Sequence, residues 1–299
     1  MCPWRATAAS WTQERNRERL VHCVHSSATT WPNRHLRSRT PSHRPLTAAR
    51  TPWIALCRPS PQSRLRLFCF PCAGRGSTMY RQWIGGMPPG VEVCPVQLPG
   101  RETRCGEPPY RRVQPLVADA ALALQPFLDR PFAVFGHSMG GLVAFEFVRH
   151  VRRAYGLEPV LLVVSGEPAP HLAGGSPPRY NLPDEEFLAH IKSLNGTPAE
   201  ALASRELMEF MLPVIKADFE VCDCYQYLSD APLDCRVAAY GGADDPESPR
   251  EQLAAWRDHA ARDFVLRTFP GNHFYLDSCR ESLLQALAQD LIGGTRPSC

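Results

Sequence analysis

The sequence predicts an α/β protein built on a mostly parallel sheet with helices on both faces. Three observations carry this. From residue 64 onward, short apolar runs alternate with segments of helical period. Pro159–Ser165 is apolar without alternation, as a strand buried on both faces requires. Between them, the apolar run Phe132–Phe135 ends in Gly136-His137-Ser138-Met139-Gly140, and a small-residue helical pattern follows at once.

The elements follow in order. Leu65–Phe70 reads as a strand stopped by Pro71. A loop with Gly74 and Gly76 leads into a helix over 77–87. Val91–Val96 is a second strand, and 97–104 an irregular loop. Residues 113–128 place Val113, Leu116, Val117, Ala120, Leu124 and Phe127 close to a 3.6-residue period, hence a helix. Then come the strand 132–136, its helix 139–154 and the strand 159–165. Alternation pauses over about 167–231. There, one helical pattern opens at Asp184 and carries Phe187, Leu188, Ile191 and Leu194. A second runs from Glu206 to Val221. A helical insertion between two strands predicts a lid. Strands at 235–240 and 263–269, with helices at 249–259 and 277–292, complete a domain over 64–294.

The first 63 residues read differently. Residues 1–64 hold eleven Arg, no Lys and two acids, a net +9, so the rest of the +3 chain carries −6. Seven Pro and no sustained period predict a disordered Arg/Ser/Pro-rich extension. It fits a transit peptide, a nucleic-acid-binding arm or an extension without function, the last being favoured. An acidic remainder does not suggest nucleic acid as partner. No apolar run approaches the ~18–20 residues that span a bilayer. Only Lys192 and Lys216 accompany 31 Arg, a bias that suggests a GC-rich coding sequence. The twelve Cys have no secretory leader beside them, and the lone Cys69-x-x-Cys72 has no second pair. Reduced thiols are expected, with no metal.

Gly-x-Ser-x-Gly between strand and helix is the setting of a nucleophile elbow, with Ser138 on a strained turn. A serine nucleophile needs a base, and the base needs an orienting acid. In such a sheet the chain order is Ser, acid, His. Two motifs stand at the ends of the last two strands, Gly241-Gly242-Ala243-Asp244-Asp245-Pro246 and Pro270-Gly271-Asn272-His273. Loops at the carboxyl ends of parallel strands converge on one edge. Ser138, Asp245 (or Asp244) and His273 are therefore the candidate triad. The oxyanion hole requires two backbone N–H groups, Met139 and one from the loop after the first strand. Ala73 is the first choice there and Cys72 the next.

Taken together, Leu67–Gly74, Val96-Gln97-Leu98-Pro99-Gly100-Arg101, Phe135–Gly141, Leu212-Pro213 through Ala217-Asp218-Phe219, Gly241–Pro246 and Phe269–Phe274 resemble the type II thioesterases. These are external editing enzymes of nonribosomal-peptide and polyketide synthases. The resemblance covers about 64–292. It implies an α/β-hydrolase fold and hydrolysis of acyl thioesters on the phosphopantetheine arm of acyl or peptidyl carrier domains, with no added cofactor. A cytoplasmic monomer is expected. Medium-chain fatty-acid-synthase thioesterases are close relatives. A carboxylesterase, or a binding protein acting through the basic arm, are the alternatives. Two departures stand out, Cys72 where an aromatic is usual and Ser248 where Val is common, neither expected to touch the triad. Met208 and Met211 of the lid are expected to line the acyl channel, an adaptable wall.

Overall fold

Every apolar run of the sequence forms a strand, and all six strands run parallel. In the computed structural model β1 is Leu65–Phe70, β2 Val91–Pro95, β3 Phe132–His137, β4 Leu161–Ser165, β5 Arg236–Gly242 and β6 Phe264–Phe269. Their order across the sheet is β2-β1-β3-β4-β5-β6. The structure describes residues 51–56, 62–172, 177–194, 196 and 204–293. The predicted extension at 1–50 and 57–61 lies outside the described residues, as does the lid segment 197–203.

Side chains along each inner strand alternate between two cores. Phe68, Phe70, Val134, Leu162, Val164, Val237 and Ala239 face one side, where α1 (Val113–Leu124) and α2 (Met139–Tyr155) cover them. Leu67, Cys69, Ala133, Phe135, Val163, Ala238 and Tyr240 face the other, against Tyr80, Trp83 and Leu283, Leu287 and Leu291 of the last helix. Burial on both faces is why β1, β3 and β4 read as unbroken apolar runs.

The boundary of the domain differs from the sequence expectation. Trp53 is only 6% exposed and belongs to the α1/α2-side core. Its carbonyl accepts the Gln97 N–H at 2.8 Å, Ile54 bridges to Val96, and the Arg104 guanidinium lies over its ring at 4.6 Å. Ser63 is buried as well, donating to Glu92. Residues 51–56 and 62–63 thus pack on a domain that was expected to begin at 64. Two helices also differ. The segment predicted as a helix over 77–87 is a 3₁₀ helix, Ser77–Trp83, beyond which Gly85 adopts φ +87° and turns the chain away. The last predicted helix divides into a short turn, Tyr275–Ser278, and α6, Arg280–Gly293.

The insertion between β4 and β5 forms two helices, α3 (Asp184–Ser193) and α4 (Arg205–Asp223). Ser204 caps α4, its hydroxyl accepting the Leu207 N–H. Phe187 and Ile191 of α3 pack on Met208, Ile215 and Phe219 of α4 in a small core separate from the two beneath. Both lysines of the chain lie on these helices. Lys216 ties α4 back to the start of α3 through the Leu182 carbonyl (2.8 Å) and Asp184 (2.6 Å). Between β5 and β6 lies α5, Arg250–Ala254.

Candidate active site

Ser138 joins β3 to α2 with φ +53° and ψ −128°, a conformation rare for a residue with a side chain. The neighbours explain how the turn closes. A Cβ on Gly136 would stand 1.9 Å from the Gly140 carbonyl oxygen. One on Gly140 would stand 2.3 Å from that of Phe70. Only glycine at both positions lets the first turn of α2 sit this close to β3 and β1. The Ser138 N–H donates to the Ser165 carbonyl at 2.7 Å, fixing the turn to β4. The elbow thereby places Ser138 at the N-terminus of a 17-residue helix, where the dipole favours negative charge.

His273 follows β6 and Asp245 follows β5, and their side chains meet. Asp245 Oδ2 lies 2.8 Å from His273 Nδ1. The same oxygen accepts the Ser248 hydroxyl at 2.5 Å, and Oδ1 accepts the Glu247 N–H at 2.9 Å. Burial opposes the carboxylate charge, but His273, Ser248 and Glu247 outweigh it and hold Asp245 below the usual carboxylate range. An ionised carboxylate can only accept, so Nδ1 is the donor in this contact, and the tautomer with that proton has its lone pair on Nε2. Asp244 is exposed, and its N–H donates to the Gly271 carbonyl at 2.9 Å. Of the two acids only Asp245 reaches the imidazole. Ser248 corrects an expectation, since it does touch this pair. A buried serine with the Asp245 carboxylate beside it donates its hydroxyl there.

Ala73, Ser138, Met139 and His273 line one cavity of about 800 Å³. Among the described residues, neither the Ala73 nor the Met139 N–H has a protein acceptor. A smaller cavity of about 130 Å³ reaches Ser138 and His273 from beneath the lid, walled by Ile191, Met211, Ile215 and Phe219. Met211 thus borders the space in front of Ser138. Met208 corrects the expectation of a channel position: it is buried in the core between α3 and α4 and lines none of the cavities described.

Three further titratable groups adjoin the site. Burial, and then the neighbouring His273, keep His137 well below its ordinary range, so it is a neutral, weak base. Its Nδ1 lies 3.0 Å from the Ser165 hydroxyl, which in turn meets Tyr275 Oη at 2.6 Å. Glu167, on the larger cavity, is pushed up to about 8 by burial. Cys72 lines the smaller cavity, but burial lifts its thiol to about 12, which leaves it protonated and unreactive. No group of three His, Cys, Asp or Glu among the described residues is arranged to hold a metal. No helix among them is long and apolar enough to cross a membrane.

A serine on a glycine-flanked elbow, with a carboxylate and its histidine at the ends of the last two strands, defines an α/β-hydrolase. Residues 65–291 match the family model for the thioesterase domain. The chain belongs to this family and is a hydrolase acting on thioesters. It is 39% identical over 239 residues to the gramicidin S biosynthesis protein GrsT of Aneurinibacillus migulanus, covering 80% of this chain and 93% of that one. The RedJ thioesterase of the prodiginine pathway in Streptomyces coelicolor superposes with a TM-score of 0.73 at 38% identity, over 76% of this chain and 86% of that one. The type II thioesterase BorB of the borrelidin cluster gives 0.74 at 34% identity, over 80% and 97%. Such relatives do not favour a carboxylesterase or a non-enzymatic binding protein.

Proposed function

We propose that the protein is an external, type II thioesterase that frees carrier domains of blocked polyketide or nonribosomal-peptide synthases by hydrolysing the acyl group from their phosphopantetheine arm. One observation supports this most. The small apolar cavity under the lid meets Ser138 and His273 and shares Gly74, Arg75 and Met211 with an outer cleft of about 540 Å³. That cleft carries Arg75, Arg81 and the exposed Leu207 and Phe210. The two cavities adjoin across Gly74, Arg75 and Met211, the side from which a thin arm would reach the serine.

The proposed chemistry uses only side chains and backbone of this chain. Ser138 Oγ attacks the thioester carbonyl as His273 Nε2 takes its proton. The Ala73 and Met139 N–H groups receive the charge on the carbonyl oxygen. The C–S bond breaks, the leaving sulfur takes the proton from His273, and the acyl group remains on Ser138. Water then attacks this ester, giving its proton to His273, which returns it to Ser138 as the free acid leaves. Asp245 orients the imidazole and stabilises its protonated form.

The test is a panel of acyl groups presented on a carrier protein, on a small thiol and as matched oxygen esters. The expected result is fastest hydrolysis on the carrier, slow oxygen esters, and loss on the order of 10⁶ in kcat for Ser138→Ala. Oxygen esters turned over as fast as thioesters would make this a carboxylesterase. Equal rates on carrier and small thiol would remove the carrier as partner.

A further inference from the structure

Two sequence motifs lie outside the chemistry above, the Gln97–Arg101 run and Ala217-Asp218-Phe219 in the lid. The fold joins them. Arg101 and Asp218, 117 residues apart, form a two-pronged ion pair, Nη1 to Oδ2 at 2.5 Å and Nη2 to Oδ1 at 2.8 Å. Asp218 is 1% exposed and Arg101 7%. The pair also grips the loop that follows β1. Asp218 Oδ2 accepts the Gly74 N–H at 2.8 Å, and Arg101 Nη1 donates to the Arg75 carbonyl at 3.2 Å. Gly74 itself, at φ +72°, rests against Ile215 of the same lid helix, whose Cγ1 lies 2.8 Å from where a Cβ would stand. Arg101 is fixed in turn. Gln97 Nε2 donates to its carbonyl at 2.9 Å, and Arg101 Nε donates to the Pro99 carbonyl at 3.2 Å.

A buried ion pair is seldom better for stability than an apolar pair of the same volume, because both charges lose their water. What it supplies is a fixed geometry. Here that geometry falls on the residue directly after Ala73. We propose that Arg101 and Asp218 are positioning residues of the oxyanion hole. They hold the Ala73 N–H where the carbonyl oxygen gains charge, and they make that half of the hole depend on the seating of α4. The inference rests on the Ala73 role proposed above. In this arrangement the lid is a structural part of the catalytic loop, so a lid lifted from Gly74 leaves Ser138 with the Met139 donor alone.

The experiment uses Asp218→Asn and Arg101→Lys in the full chain, with Glu220→Gln as the control. Glu220 pairs α4 with Arg111 and Arg112 but touches nothing in the Ala73 loop. Active sites are first counted by titration of Ser138 with a fluorophosphonate, so that misfolded protein is not scored. The readouts are kcat per titrated site, KM for one acyl thioester, and affinity for a trifluoromethyl ketone that forms a tetrahedral adduct. Misplacement by ~1 Å is expected to lower kcat per site about 10- to 100-fold in Asp218→Asn, with KM within about threefold. The ketone should weaken in proportion to kcat/KM. Arg101→Lys keeps the charge but loses the fork, and should fall between. Glu220→Gln should keep wild-type kcat per site. If Asp218→Asn and Arg101→Lys both keep wild-type kcat per titrated site, or if the control loses as much as they do, the positioning role is wrong. If Asp218→Asn does not fold, Arg101→Lys alone decides. Ser138→Ala inactive beside fully active Asp218→Asn and Arg101→Lys would sink this inference and leave the thioesterase reading intact.

Discussion

Gly140→Ala asks how tightly the elbow is built. The new methyl would lie 2.3 Å from the Phe70 carbonyl oxygen, 2.7 Å from that of Pro71 and 2.8 Å from the Phe70 carbonyl carbon. All three are backbone atoms, so no side chain can rotate aside. Ordinary contact begins at 3.4 Å, so the closest approach is 1.1 Å too short. Phe70 is held in register with Gly136 of β3, and its carbonyl accepts the Tyr80 hydroxyl at 2.7 Å. Either the end of β1 or the first turn of α2 must therefore move by ~1 Å, an error that costs about 100-fold when it falls on catalytic groups. The end of β1 leads to Ala73, and the first turn of α2 contains Met139, so both routes disturb a proposed oxyanion donor. Overpacking costs about 1–3 kcal/mol, and each kcal/mol lowers the melting temperature by about 2–4 °C at this size. Steady-state hydrolysis of one acyl thioester and a thermal melt measure both effects. Gly156→Ala is the comparison: φ is +65° there, but no atom lies within 4 Å of its Cβ. That change should cost only the left-handed strain, about 1 kcal/mol, and leave kcat alone. A Gly140→Ala enzyme with wild-type kcat would show that the elbow tolerates what its geometry forbids.

The remaining expectations concern single groups. Asp245→Asn should lower kcat roughly 10⁴-fold by misorienting His273, and Asp244→Asn should lower it little; the reverse ranking in steady-state assays would move the orienting role. Ser248→Ala removes one of the hydrogen bonds that hold Asp245 ionised, so its pH–rate profile should move while Ser248→Thr keeps the wild-type profile; identical profiles for all three would make Ser248 passive. Removal of residues 1–63 discards Trp53 with the rest and should lower the melting temperature relative to removal of residues 1–50; Trp53→Ala should lower it too, since losing a buried tryptophan costs about 3 kcal/mol; equal melts for the two truncations would return residues 51–63 to the extension. Glu167 has a sign that can be worked out. Its carboxyl is raised from 4.5 to about 8 in the fold, so between those values the unfolded chain has lost a proton that the folded one keeps. Its contribution is complete below 4.5 and fades as pH rises to 8. Glu167→Gln should gain in melting temperature relative to wild type across that window, and a constant difference would refute the raised value.

The strands were legible because burial on both faces writes a plain apolar run into the sequence. The elbow glycines and the two strand-end loops announced themselves because each serves one steric need within a few residues. What stayed hidden was solitary or distant. Trp53 is one of four tryptophans scattered through an Arg- and Pro-rich stretch, and their spacing has no period. Ser248 lies three residues after Asp245, and only the turn between them aims its hydroxyl back. Arg101 and Asp218 each sit in a motif that stands out in the sequence, but their meeting is a property of the folded chain. Met208 and Met211 share a helix three residues apart, but one faces α3 and the other the cavity, a distinction that depends on how α4 is rolled.

The distribution of lysine has an experimental use. Lys192 and Lys216 are the sole lysines in 299 residues, and both lie on lid helices. Amine-reactive dyes, crosslinkers and isotopic acyl labels will therefore mark the lid and, apart from the α-amino group, nothing else. Lys192 is exposed, whereas Lys216 is held by the Leu182 carbonyl and Asp184. Their relative labelling rates, read by peptide mass spectrometry, form an internal clock: Lys192 keeps time, and Lys216 speeds up only when α3 and α4 part. A non-hydrolysable acyl-pantetheine amide added to the same tube would show whether cargo opens the pair or clamps it, with no mutation and no reporter introduced.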